Sequence, residues 1–237
     1  MSRGNFGKVL FFSLLLNVVV LVAGVRAVYL RGGWEYLRDR WHGAGGSASL
    51  DLDAMQYLQR QTLFERMPLA KGKLVFVGDS HIAGCEWAEF FPGALNRGIG
   101  GDTSAGVLKR LSSITQLLPR VVFLQIGSND PVNLGLSPEQ TVANIRSVVA
   151  EIQRSSPATV IVLQGNLPTW TTKLNLYARE VNRRLEAFAD GTRILYVDLY
   201  TPFLEGTTLD RGLTSDGIHL TGEGYVRWKQ LIERYAR

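Results

Sequence analysis

The stretch LVFVGDS, residues 74–80, decides the fold of this 237-residue chain. Its first four residues are apolar, which is typical of a strand covered on both faces in a parallel sheet. The glycine and aspartate that follow indicate a tight turn, so Ser80 is expected at the beginning of a helix. Nucleophilic serines are found in strand-to-helix turns of this kind. The stretch therefore predicts both a parallel sheet and a candidate nucleophile.

Strand and helix patterns then alternate along the rest of the chain. Further apolar runs lie at 94–99, 121–126, 159–163 and 194–199, the first of them weaker than the others. Between them, Ser137-Pro138-Glu139-Gln140 combines an N-cap, a first-turn proline and a capping-box glutamine. Later helices are predicted over 174–189 and 221–235. This alternation predicts the α/β class: a three-layer α/β/α sandwich with a mostly parallel five-stranded sheet.

An apolar segment, Val9–Val25, precedes the α/β region and is interrupted only by Ser13 and Asn17. Its length is near the lower limit for a spanning helix, so residues 1–30 are expected to form an N-terminal membrane helix. A cleaved signal peptide is the alternative, although Val25-Arg26-Ala27 is a poor cleavage site. Basic residues are more numerous after the segment than before it, which favours a cytoplasmic domain. Because large domains are translocated regardless of nearby charge, we expect a membrane-anchored domain in the periplasm or another extracytoplasmic space.

Composition and charge divide the chain into three parts. Residues 31–50 are expected to be a juxtamembrane segment and a Gly/Ser linker, and 51–237 the folded domain, which begins with a helix ending near Met67. The first fifty residues carry six Lys or Arg against two Asp or Glu, and the remainder carries twenty against nineteen. The folded domain is therefore nearly neutral, which argues against a nucleic-acid partner.

Four polar or glycine-rich segments follow the predicted strands. They are the turn at Ser80, Gly98–Asp102, Gly127–Asp130 and, after the fifth strand, Asp216–His219. In open parallel sheets the ligand crevice lies beyond the carboxyl ends of the strands. The four segments are therefore expected to converge at one edge of the sheet.

As the blocks VFVGDSH, NRGIGGDTS, IGSND and SDGIHLT, these segments resemble the SGNH (GDSL) hydrolase family over residues 73–237. The resemblance implies a flavodoxin-like fold and a serine esterase that needs no cofactor and no metal. It implies a catalytic set of Ser80 as nucleophile with Asp216 and His219. It also implies an oxyanion hole formed by Ser80, Gly101 and Asn129. The family commonly has an aliphatic residue after the serine, whereas this chain has His81.

The chemistry of the residues agrees with this assignment. A serine hydroxyl needs a base, and the chain has three histidines: His42, His81 and His219. His42 lies in the juxtamembrane segment, and the ring of His81 is expected to point away from Ser80. His219 has a carboxylate, Asp216, three residues earlier that is suited to fixing its tautomer.

The expected activity is hydrolysis of a carboxylic ester through an acyl-enzyme. The substrate is left open among a lysophospholipid, a simple acyl ester and an O-acetylated carbohydrate, with Trp87, Trp170, Tyr200 and Phe203 as candidates for an acyl pocket or for the core. A non-catalytic, membrane-tethered binding module with the same fold is the alternative. A glycosidase built on Asp79 and Asp130 is disfavoured because it would leave Ser80 and His219 without a role.

Overall fold

The computed structural model describes residues 3–30 and 52–236, which form two compact units before and after residue 51. The first unit contains one 28-residue helix, α1 (Arg3–Leu30). In the described part of the chain, no helix has the length and hydropathy that a membrane crossing requires. The predicted N-terminal membrane helix is therefore supported as a helix but not as a span. The predicted juxtamembrane segment and linker, with His42, lie outside the described residues.

The second unit is built on a five-stranded parallel sheet. Its strands are β1 (Leu74–Gly78), β2 (Leu95–Gly98), β3 (Val121–Gln125), β4 (Val160–Gln164) and β5 (Ile194–Val197). They are arranged in the order β2-β1-β3-β4-β5, all parallel. Gly78, the last residue of β1, pairs with Gly98 on one side and Gln125 on the other. The carboxyl ends of these three strands are thus level. The direction in which strands are added to the sheet reverses between β1 and β3, and doubly wound folds bind their ligands at this point.

Helices precede, connect and follow the strands. They are α2 (Leu52–Arg66), α3 (Ser80–Ala83), α4 (Trp87–Phe90), α5 (Ser104–Lys109), α6 (Ser112–Thr115), α7 (Asp130–Asn133), α8 (Pro138–Ser155), α9 (Thr172–Glu186) and α10 (Gly222–Ile232). A short antiparallel pair, β6 (Leu204–Glu205) and β7 (Thr208–Leu209), follows β5 and was not predicted. The capping box is confirmed, because the Ser137 hydroxyl accepts the Gln140 N–H and the Gln140 side chain accepts the Ser137 N–H.

Two hydrophobic clusters cover the two faces of the sheet. Along β1, Val75 and Val77 belong to one cluster, while Phe76 belongs to the other. The Phe76 ring stacks on Trp87 with a centroid distance of 4.1 Å and on Phe123 at 4.6 Å. Because both faces are buried, the central strands β1, β3 and β4 are mostly apolar, and the prediction of an α/β sandwich with a five-stranded parallel sheet is confirmed.

Candidate active site

Ser80 is the first residue of α3, directly after the turn that ends β1. Asp79 caps this helix, since its Oδ1 accepts the His81 N–H at 3.0 Å, and its Oδ2 accepts the Ser128 hydroxyl at 2.9 Å. A Cβ on Gly78 would lie 2.1 Å from the carbonyl oxygen of Gln125, so only glycine fits there. The strand can therefore turn tightly into the helix, and Ser80 is held at the carboxyl edge of the sheet.

Asp216 and His219 lie in a loop between β7 and α10 that returns to the same edge. Thr214 and Leu220 pair across the base of this loop. The Gly217 carbonyl accepts the Trp170 N–H at 3.0 Å. Gly217 has a φ of +82°, and a Cβ there would lie 2.4 Å from the Trp170 ring. A glycine is thus required both for the backbone conformation and for the close approach of the indole.

The structure brings the three predicted catalytic side chains into one hydrogen-bonded chain. His219 Nε2 lies 3.1 Å from Ser80 Oγ, and His219 Nδ1 lies 2.7 Å from Asp216 Oδ2. The other carboxylate oxygen of Asp216 accepts the backbone N–H groups of Ile218 at 2.9 Å and His219 at 2.8 Å. An ionised carboxylate on Nδ1 favours the tautomer whose Nε2 is free to accept the serine proton.

The carboxyl group of Asp216 is strongly biased toward the ionised form. The hydrogen bond from the His219 side chain, followed by the backbone N–H groups of His219 and Ile218, lowers the pKa of Asp216 far below its usual value. The side chains of Asp216 and His219 are 49 % and 51 % exposed. Both are therefore accessible to a substrate from solvent, and hydrogen bonds hold them in place.

Asn129 follows β3 and lies beside Ser80 in the same cavity. Its Nδ2 donates to the Asp102 carbonyl at 3.0 Å. An amide nitrogen carries two N–H groups, so the second one can serve a ligand. Gly101 lies on the neighbouring turn with a φ of +71° and open space at its Cβ position. Its carbonyl accepts the Asn133 side chain at 3.1 Å, which restrains this turn, and Gly101 itself is not among the residues that line the cavity.

A buried ion pair that was not predicted supports this glycine turn. Arg110 Nε lies 2.7 Å from Asp102 Oδ2, and each side chain is 1 % exposed. Arg110 also donates to the Gly78 carbonyl at 3.3 Å, and Tyr57 donates to Asp102 Oδ1 at 3.2 Å. Burial raises the pKa of Asp102 despite the opposing charge of Arg110. The pair thus joins the glycine turn to the end of β1.

A cavity of about 220 Å³ opens beside Ser80, His219 and Asn129. Its apolar lining is formed by Val132, Leu167, Leu174, Tyr177, Ala178 and Ile218. None of the four aromatic residues that were candidates for an acyl pocket or for the core is among the lining residues. Trp87 and Phe203 are fully buried in the core, Tyr200 borders a separate groove, and the Trp170 indole donates to the Leu209 carbonyl. The three-and-four spacing of Leu174, Tyr177 and Ala178 on α9 was the available signal that these residues lie on one face of the helix and line this cavity together.

The two carboxylates of the glycosidase alternative are used within the protein. Asp130 is fully buried and accepts the Ser104 N–H at 2.9 Å and the Thr141 hydroxyl at 2.6 Å. Asp79 is also fully buried and caps α3. Both side chains therefore stabilise loops at the carboxyl edge, which argues against an acid–base pair for glycoside cleavage.

Several known proteins resemble this chain in sequence, in fold or in both. Residues 76–227 match the GDSL-like Lipase/Acylhydrolase family. The chain is 32 % identical over 168 residues to platelet-activating factor acetylhydrolase IB subunit alpha1 of Bos taurus, covering 65 % of this chain and 70 % of that one. It is 30 % identical over 167 residues to the alpha2 subunit of Gallus gallus, covering 65 % and 71 %.

Two solved structures have a similar fold. A GDSL-like lipase from Bacteroides thetaiotaomicron superposes with a TM-score of 0.66 at 27 % identity, covering 76 % of this chain and 96 % of that one. A carbohydrate esterase family 3 protein from Talaromyces cellulolyticus shares the fold with a TM-score of 0.55 at 14 % identity, covering 69 % and 95 %. The chain belongs to the GDSL-like lipase/acylhydrolase family and is a hydrolase that acts on ester bonds.

Proposed function

We propose that this protein is a serine esterase that cleaves carboxylic esters through an acyl-enzyme on Ser80. The observation that carries the proposal is the continuous chain of hydrogen bonds from Asp216 through His219 to Ser80. A serine hydroxyl is a weak nucleophile unless a base accepts its proton, and a base needs a partner that fixes its tautomer. Both requirements are met by these contacts.

In the first half of the reaction, Ser80 Oγ attacks the acyl carbon while His219 Nε2 accepts the hydroxyl proton. The resulting imidazolium is stabilised by Asp216 and then gives its proton to the departing alkoxide, so that an alcohol leaves. In the second half, His219 takes a proton from water as the hydroxide attacks the acyl-enzyme. The bond between the acyl carbon and Ser80 Oγ then breaks, the imidazolium returns its proton to Oγ, and the carboxylic acid is released. Each tetrahedral intermediate carries a negative oxygen, for which the Ser80 N–H, the Gly101 N–H and the Asn129 amide are the proposed donors.

We infer that the acyl group is short. The cavity volume of about 220 Å³ is below the range of roughly 300–1,000 Å³ typical of sites for drug-sized ligands. The mammalian relatives are named acetylhydrolases, which supports an acetyl group or one of similar size. Acetyl esters of lipids, simple alcohols and carbohydrates all fit this description. A long-chain lysophospholipid fits less well because its acyl chain would exceed the cavity.

A panel of p-nitrophenyl esters from acetate to decanoate, together with an acetylated sugar, tests this proposal. Wild-type protein is expected to have its highest kcat/KM with acetate or propionate, and Ser80→Ala is expected to lose nearly all activity. Equal hydrolysis by the wild type and Ser80→Ala would refute the role of Ser80. A preference for decanoate over acetate would refute the short acyl group and leave the role of Ser80 intact.

The location of the domain stays a proposal that rests on the sequence. We propose an extracytoplasmic domain attached through the N-terminal segment, on the basis of the apolar stretch Val9–Val25 and because large domains are translocated regardless of nearby charge. Protease accessibility of the full chain in intact and permeabilised cells tests this directly. Digestion only after permeabilisation of the inner membrane would contradict it.

A further inference from the structure

His81, the residue after Ser80, is buried although the neighbouring acid–base pair is exposed. Its side chain is 5 % exposed, whereas that of His219 is 51 % exposed. Burying an imidazole has a free-energy cost unless its nitrogen atoms are hydrogen-bonded. An aliphatic residue would fill the same space without this requirement. The contacts of the His81 ring must therefore offset the free-energy cost of burying it.

Both ring nitrogens of His81 face oxygen atoms. Nδ1 lies 3.3 Å from Asp79 Oδ1, and Nε2 lies 2.9 Å from the carbonyl oxygen of Ile218. Asp79 belongs to the turn that presents Ser80, and Ile218 is the residue immediately before His219. The ring thus connects the two segments of backbone that carry the nucleophile and the base.

The chemistry of the two acceptors determines where the protons lie. A carbonyl oxygen only accepts hydrogen bonds, so Nε2 carries the proton of the contact with Ile218, and Nδ1 is placed to donate to Asp79 when it is also protonated. Burial opposes the charged form, but the bond and charge of Asp79 together with the Ile218 carbonyl outweigh it and raise the pKa of His81. The other titratable groups around this residue are Asp216, whose charge acts in the same direction, His219, whose ring centroid is 5.6 Å away, and Tyr225, whose hydroxyl donates to the His81 carbonyl.

We propose that His81 is a positioning residue that fixes the Asp216–His219 segment against the turn that carries Ser80. This inference rests on the proposed function, because its consequence is the alignment of His219 Nε2 with Ser80 Oγ. The backbone contact lies one residue from His219, so its loss would let the imidazole move relative to the hydroxyl. A displacement of about 1 Å can lower a rate by roughly 100-fold. The Trp170–Gly217 and Thr214–Gly217 contacts remain, so the loop is expected to shift and not to unfold.

Three substitutions at His81 distinguish this role from simple packing. His81→Gln retains an N–H at the distance of Nε2, His81→Asn is too short to reach the Ile218 carbonyl, and His81→Leu removes every donor. We expect kcat to fall by about 10- to 100-fold in the Leu and Asn variants with KM changed by less than about three-fold. The Gln variant is expected to recover most of kcat. Ile114→Val, in the core on α6, controls for a general loss of stability and should keep full activity.

Hydrogen exchange of the backbone amides of Gly217, Ile218 and His219 provides a readout that does not depend on catalysis. We expect faster exchange in the Leu and Asn variants and near wild-type exchange in the Gln variant. Wild-type kcat and wild-type exchange in His81→Leu or His81→Asn would overturn the inference, as would equal losses of kcat in the Gln and Asn variants. If the wild type cleaves no ester, the proposed function fails, and the exchange rates still decide whether His81 holds the loop. If His81→Leu does not fold, kcat and amide exchange in His81→Gln and His81→Asn decide whether His81 positions the loop.

Discussion

Ser80 Oγ lies 3.1 Å from His219 Nε2, although 139 positions separate the two residues along the chain. The parallel sheet makes this contact possible, because Ser80 follows β1 and the loop of His219 returns to the carboxyl edge after the last strand of the sheet. The nucleophile is then fixed by a helix cap, and the base by hydrogen bonds within its own loop. The fold therefore supplies the proximity, and local hydrogen bonds supply the orientation.

The first prediction concerns the oxyanion. Asn129→Ala is expected to lower kcat by about 10²- to 10³-fold with little change in KM, because the lost donor acts on charge that develops only in the transition state. Steady-state kinetics with p-nitrophenyl acetate measures both constants. A kcat within three-fold of the wild type would mean that the Asn129 amide does not bind the oxyanion.

The second prediction concerns the length of the acyl group. Leu174→Ala removes part of the apolar wall beside Ser80 and is expected to raise the ratio of kcat/KM for hexanoate to that for acetate by about ten-fold. Leu176→Ala is the matched control, since Leu176 is on the same helix but 63 % exposed, and it borders a different groove. The ratio should be unchanged in the control. If the hexanoate-to-acetate ratio of kcat/KM is the same in Leu174→Ala and Leu176→Ala, this cavity does not hold the acyl chain.

The third prediction concerns the buried ion pair beneath the glycine turn. Arg110→Met leaves the Asp102 carboxylate buried without its cation, which is expected to lower the free energy of unfolding by about 3–5 kcal/mol. Adding Asp102→Asn to the same variant removes the unpaired charge and should restore part of the loss. Urea denaturation of the two variants measures the difference. If Arg110→Met is as stable as Arg110→Met combined with Asp102→Asn, the charge of Asp102 is not the cause of the lost stability.

The fourth prediction concerns the dependence of stability on pH. Backbone N–H groups of Ile194, Thr192 and Arg193 donate to Asp190 Oδ1 in the turn before β5, and they lower its pKa to about 2. Because the folded pKa is below the unfolded value of about 3.9, the ionised carboxylate stabilises the fold above that value. This contribution declines as pH falls through the folded pKa.

The wild type should therefore be more stable than Asp190→Asn at pH 7, and the difference should shrink between about pH 4 and pH 2. The free energies of unfolding of the two proteins, measured by urea denaturation across this range, provide the test. A difference that stays constant down to pH 2 would show that the ionisation of Asp190 does not contribute.

Much of the fold could be predicted because local patterns and tertiary structure agree. The strong apolar strands and the capping box at Ser137 are local signals, and both match the structure. The antiparallel pair of β6 and β7 was not predicted, because each strand has only two residues, too few for a periodic pattern to be visible. The membrane span predicted within α1 depends on a length near the limit, and the described residues do not support it.

Ser80, Asp216 and His219 could be named as candidates because each lies in a short segment after a predicted strand, and Asp216 is three residues before His219. Roles could not be predicted for residues that stand in no such pattern. Asp102 could be a ligand, a cap or a buried partner, and only the structure reveals Arg110 beside it. Trp87 and Phe203 were candidates for an acyl pocket or for the core, and both lie in the core, where large aromatic residues gain most from burial.

The central claim is that Ser80 is activated by His219, and covalent labelling with a fluorophosphonate tests it most directly. Wild-type protein should gain one phosphonyl group, located by peptide mass spectrometry on Ser80, because only an activated serine attacks phosphorus readily. The rate of labelling should fall by several orders of magnitude in His219→Ala and vanish in Ser80→Ala. Labelling of the wild type at another serine, or at the same rate in His219→Ala, would contradict the account.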